Sequence, residues 1–191
     1  PLSALNTKSI EFSPVFYGNG LVFVVARERN RILDRKTGQA YFDLMYADAS
    51  ADGAVTRPVS FSPNIQTQYH EGPCAFNADA SEIFFTRSNL SGGTLVNDEK
   101  GNAHLKIYRG VKGENDWENI EELPFSSDVY SIAHPTLNAE GNMLVFSSDM
   151  PGGYGGMDLY VVERINGSWQ TPVNLGNMVN SKGNDVFPFW H

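Results

Sequence analysis

The stretch from His134 to Leu175, HPTLNAEGNMLVFSSDMPGGYGGMDLYVVERINGSWQTPVNL, constrains the fold more than any other part of the chain. It alternates four short extended runs with turn chemistry. HPTL is followed by the glycine-containing turn AEGN, and MLVFSSD, rich in β-branched and aromatic residues, runs into the glycine loop PGGYGG. DLYVVERI then reaches NGS, a hairpin signal, and WQTPVNL closes the unit. Four consecutive strands with turns between them predict an antiparallel meander, the shape of one propeller blade.

Copies of the first half of this unit recur. Phe12 to Ala26, Gly72 to Thr86 and Ala133 to Ser147 share a proline, an apolar residue two positions on, a turn and an apolar strand. Pro14, Pro73, Pro135 and Pro188 recur at intervals of roughly 60 residues, longer than the 40 to 50 common in such repeats, so loops must absorb the excess. Asn6 to Phe16, NTKSIEFSPVF, also aligns without a gap with Asn180 to Trp190, NSKGNDVFPFW, so the chain begins and ends at equivalent points. The predicted fold is all-β, an incomplete β-propeller of three four-stranded antiparallel blades plus the first strand of a fourth. The blades are expected at about 10–60, 70–124 and 132–176, with the next one starting at 184–191, all in one domain.

Loops carry the candidate binding residues. RERNRILDRKTGQA (Arg27 to Ala40) places Arg27, Arg29, Arg31, Arg35 and Lys36 against only Glu28 and Asp34. It reads as a solvated loop or as a docking loop for an acidic surface. In the second copy Arg87 begins the corresponding loop, and SNLSGGTLVNDEKGNAH is expected to be exposed and mobile. In the third, Asp149 and Asp158 flank PGGYGG without the spacing of a calcium loop; Asp158 is expected to cap backbone N–H groups of the glycines. Strand four of the first blade is expected at Val55 to Val59.

Composition excludes several classes. With 41% hydrophobic and 12% aromatic residues the chain can bury a core, and no apolar run approaches the ~20 residues of a membrane-spanning helix, so no direct membrane insertion is expected. A net charge of −8 with no long Lys/Arg cluster argues against nucleic acid. Cys74 is the only cysteine, which rules out an intrachain disulfide and reads as a small buried side chain. Pro1 opens the chain without an initiating Met or signal sequence, which predicts a processed or trimmed product. No cofactor and no metal is expected.

The run of proline, apolar residue, turn, apolar strand, S-S-D, P-G-G-Y-G-G and D-L-Y resembles the WD40-like propeller repeats of the TolB type. The fuller wording, with LGNMVNSKGNDVFPFW after it, is similar to the propellers of Bacteroidota envelope proteins. Those join tetratricopeptide repeats and a peptidoglycan-binding domain of the outer-membrane protein A type to the propeller, as in PorE-like components of the type IX secretion system. The resemblance implies a periplasmic, outer-membrane-associated scaffold that binds protein partners in the cell envelope and performs no catalysis. The rest of the propeller would come from the same chain or another.

The alternative is a carbohydrate-acting propeller enzyme, for which Glu11, Glu71 and Asp185, just ahead of the first-strand prolines, are the candidate carboxylates. His70, His104, His134 and His191 are scattered, and neither G-x-S-x-G nor H-E-x-x-H occurs. Strand alternation places the short turns on one face, and the long second-to-third loops and blade crossovers on the other. A partner is therefore expected on the long-loop face, contacted by Arg29, Arg31, Arg35 and Tyr154, with hydrogen bonds from the exposed glycine backbone.

Overall fold

The computed structural model describes residues 5–26, 33–34, 37–51 and 53–190, and among them there is no helix. Strands β1 (Glu11–Tyr17), β2 (Gly20–Ala26), β3 (Phe42–Asp48) and β4 (Val59–Ser60) pair in chain order as one antiparallel sheet. The second sheet is built from β5 (Glu71–Phe76) and β6 (Glu82–Ser88). A small hairpin, β7 (Leu90–Ser91) with β8 (Thr94–Leu95), interrupts it before β9 (Leu105–Lys112) and β10 (Trp117–Glu122). The third comprises β11 (Ile132–Leu137), β12 (Met143–Ser148) and β13 (Asp158–Ile165), with β14 (Ser168–Trp169) and β15 (Val173–Asn174) both on β13. These are the three four-stranded antiparallel blades that the repeat predicts.

Prolines shape the inner edge of each blade and the outer edge of the first and third. On the outer side, Pro58 and Pro172 lack the N–H that a ladder needs. The first blade's fourth strand accordingly shrinks from the expected Val55–Val59 to Val59–Ser60, Val55 making only an isolated bridge to Ala49. In the third blade the fourth strand splits into β14 and β15 around Pro172. On the inner side, Pro14, Pro73 and Pro135 each lie within a register shift, between Phe12 and Val15, Glu71 and Cys74, and Ala133 and Thr136. Ser13 and His134, just before Pro14 and Pro135, take positive φ of 54° and 55°. The X-Pro signature is thus the chemistry of a β-bulge in the innermost strand.

Apolar side chains fill the spaces between blades. Val22, Val24, Leu44, Ile83 and Phe85 lie between the first and second, where Cys74 is also buried. Phe84, Ile107, Ile132, Leu144 and Phe146 lie between the second and third. Alternation within a strand does this: Ile83 and Phe85 of β6 face one neighbour, Phe84 the other.

After β15 the chain crosses over and runs extended through Val186 to Trp190 without a ladder partner. Phe187 stacks on His134 at 4.0 Å and meets Phe12 edge-on at 6.0 Å, so the segment lies beside the innermost strands of the third and first blades. Its φ of 56° before Pro188 repeats the conformation of Ser13 and His134. Residues 186–190 therefore carry the backbone signature of a fourth blade's first strand.

Candidate functional site

Because the strands alternate in direction, the ends of β2 and β3 that the first long connection joins, the connections 89–104 and 149–157, and the crossovers 61–70, 123–131 and 176–185 share one face. A cavity of about 780 Å³ opens there, between the innermost strands and the loops of the first two blades. A smaller hollow of about 240 Å³ lies at the other end, where the Lys112 ammonium sits 5.4 Å from the centre of the Tyr17 ring.

One wall of the larger cavity is an arc of rings in mutual contact. Tyr69 meets Tyr41 at 5.5 Å, Tyr41 meets His70 at 4.7 Å, and His70 meets Phe42 at 4.9 Å. Phe42 meets Phe12 at 5.2 Å, and Phe12 leads through Phe187 to His134. The lining also includes the neutral polar residues Thr86, Ser88, Thr94 and Asn97. Burial lowers the pKa of His70, despite Asp34 nearby, and that of His134 to about 4, so both imidazoles are neutral at pH 7. His70 Nδ1 accepts from Phe42 N at 3.2 Å, and His134 Nδ1 lies 3.4 Å from Ser147 Oγ, so each ring is held against a strand; the His134 backbone N donates to Thr86 Oγ1 at 2.9 Å.

The three carboxylates ahead of the prolines have a structural role. Thr7, through N and Oγ1, donates to Glu11 Oε1; Thr67 N and Oγ1 donate to Glu71 Oε1 at 3.1 and 2.5 Å. Ser181 N donates to Asp185 Oδ2 at 2.7 Å. Each is thus the anchor of a repeated turn, hydroxyl residue to acid four positions on, that brings the crossover into the next innermost strand. Glu71 is fully buried, and desolvation raises its pKa to about 7 against the pull of Thr67 and Arg87. Arg87 does not begin a loop; it lies in β6, buried, its guanidinium 4.9 Å from the Phe85 and Tyr108 ring centres, donating to Ile65 O and 3.9 Å from Glu71.

Arg29, Arg31 and Arg35, the predicted docking residues, lie outside the described residues. Tyr154 is at the tip of the glycine loop on the predicted face, 48% exposed, and does not line the cavity. The glycine backbone is less available than expected. Asp158 accepts from Tyr154 N and, at 2.9 Å, from Gly155 N, which is the predicted cap, while Gly156 N donates to Gly183 O at 2.7 Å. Any Cβ at Gly155 would collide with the carbonyls of Ser181 and Gly183, so glycine is needed where the loop meets the crossover. Asp149 Oδ1 accepts from Ser131 N at 2.6 Å instead of sharing a site with Asp158. Among the described residues no group of three or more His, Cys, Asp or Glu is placed to hold a metal ion.

The loop after β6, expected to be mobile, has a framework of its own. Besides the β7–β8 hairpin and an Asn97–Ala103 bridge, Asp98 accepts from Asn102 N at 2.7 Å, Lys100 N at 2.9 Å and lies 3.1 Å from His104 Nε2. The cavity was not legible in the sequence, because its rings come from strands and crossovers far apart in the chain; the aromatic richness of YFDL and QYHEG was the available signal.

Blades that pack face to face with innermost strands around a common opening define a β-propeller-type protein. The solved structures agree: the crystal structure of TolB from Acinetobacter baumannii matches with a TM-score of 0.52 over 85% of this chain, at 17% identity. The chain spans 31% of that TolB chain, and the likeness shows a TolB-type propeller fold. No family model and no curated protein matches the chain.

Proposed function

We propose that the chain is a non-catalytic interaction module of a cell-envelope protein, binding a protein partner on its long-loop face. The observation that carries this reading is the one-sided placement of the long connections around an open cavity, on a scaffold whose candidate acids are used as turn anchors. The resemblance of the third repeat to envelope propellers supports a periplasmic, outer-membrane-associated setting, within a larger peptidoglycan-associated or secretion-system component. In this reading Arg29, Arg31, Arg35 and Tyr154 contact the partner, arginine and tyrosine being frequent interface anchors.

A pull-down from envelope extract tests it. Changing Arg29, Arg31 and Arg35 to Glu and Tyr154 to Ala is expected to abolish capture, while a control altering Asp79, Glu140 and Asn166 on the opposite turns retains it. Loss of the partner in the control and retention in the loop variant would reverse the face assignment.

A further inference from the structure

The cavity has a chemistry that a general protein-docking face does not require. Its aromatic wall presents ring faces and edges that remain partly exposed, Phe187 at 49%, and its described polar lining is hydroxyl and amide rather than ionic. Asp34 is the single carboxylate among the described lining residues, no Lys or Arg is among them, and the two imidazoles are neutral. Among the described lining residues, then, Asp34 alone carries formal charge. The side chains of Gln68, Thr94 and Asn97 make no hydrogen bond with described residues, so amide and hydroxyl groups that both donate and accept face the opening unengaged.

Main-chain recognition of a peptide is disfavoured. The free edges of β1, β5 and β11 are interrupted by Pro14, Pro73 and Pro135 and by the bulges beside them, so an added strand would find missing donors and broken spacing. A polyproline-type segment offers acceptors almost alone, whereas this wall is built for groups that donate and accept at the same atom. Sugar hydroxyls are such groups, and the apolar C–H face of a pyranose suits an aromatic ring face. We propose that this cavity is a binding site for a neutral oligosaccharide, with its apolar faces on the Tyr69–Phe42–Phe187 side and its hydroxyls toward Gln68, Thr94 and Asn97. It is argued from residues other than Arg29, Arg31, Arg35 and Tyr154, and either reading can fail alone.

The test is amide NMR titration of the full chain with neutral di- to tetrasaccharides of glucose and of N-acetylglucosamine, and in parallel with a proline-rich decapeptide. Saturable shifts of the cavity residues with at least one saccharide are expected. Tyr69→Ala and Phe187→Ala should each weaken binding about tenfold, as loss of a well-placed ring does, and Asn97→Ala severalfold. Tyr154→Ala should leave it unchanged. Circular dichroism shows whether each variant is folded, and Gln68→Ala, away from the packed rings, serves where a ring variant is not. The proposal is overturned if no saccharide binds below about 10 mM, if binding ignores the folded cavity variants, or if only the decapeptide binds there.

Discussion

Glu71 and His134 put opposite pH dependences into one small region. Glu71 keeps its proton up to about pH 7 when folded, whereas its ordinary value is 4.5. Between those pH values the native state binds the more protons, so this residue removes stability as pH rises, about 3 kcal/mol in all. His134 is held neutral down to about pH 4 against an ordinary 6.5, so in that window the unfolded chain binds the more protons and stability grows with pH. The two oppose each other from about 4.5 to 6.5, and above that only Glu71 acts. Glu71→Gln keeps an oxygen for the Thr67 donors and removes the buried charge. The variant is expected to melt higher than the wild type at pH 8, and its stability should rise from pH 4 to 6.5; thermal melts at pH 4.5, 6 and 8 check this. Equal or lower melting at pH 8 would show that ionised Glu71 is well compensated. None of this was legible in the sequence, where Glu71 was one of three candidate carboxylates ahead of the first-strand prolines; burial and the stacked Arg87 come from contacts with Ile65 and Tyr108.

The crossover turn is the element that repeats most faithfully. The gapless match of NTKSIE with NSKGND was visible in the sequence, and its meaning is the hydroxyl-to-acid turn of Thr7–Glu11 and Ser181–Asp185. The copy at Thr67–Glu71 was not recognised, because TQYHE shares only the hydroxyl and the acid with the others. Thr67 also accepts from Tyr69 N at 3.0 Å, so Thr67→Val removes a donor to a buried carboxylate and an acceptor for a backbone N–H. It is expected to cost about 1–3 kcal/mol in urea unfolding, and Thr7→Val, at the exposed copy, under about 1 kcal/mol. Equal costs at the two positions would show that burial of Glu71 does not govern the turn. Strands one to three of each blade were legible to within a residue or two, since Val, Ile and Phe alternate there. The second blade's fourth strand was legible too, at Trp117–Glu122, but those of the first and third were not, because Pro58 and Pro172 limit them more than their β-branched neighbours extend them.

At the scale of the molecule, the core between the second and third blades covers one face of the third sheet, and the other is left to a single crossing segment. Leu144 and Phe146 point toward the second blade, so Val145 of the same strand points away, as do Leu159 and Val161 of β13. In a closed ring a further blade would cover them. Along this side Val173, Met178 and Val179 are exposed, and Phe189 is 84% exposed beside the Trp190 N to Thr136 Oγ1 hydrogen bond. Phe187 stacks on His134 and meets Phe12. Propellers close with about four to eight blades, and exposed apolar sheet faces drive association at micromolar concentration and above. The 191-residue chain on its own is therefore expected to self-associate between about 10 and 100 μM, seen as a rise in weight-average sedimentation coefficient with concentration. Phe189→Lys with Val173→Lys should raise the monomer fraction without lowering the melting temperature, because neither side chain belongs to an inter-blade core. A wild-type chain that stays monomeric throughout that range, melts cooperatively and binds no apolar dye would show that the segment 176–190 is a sufficient cover for the third blade.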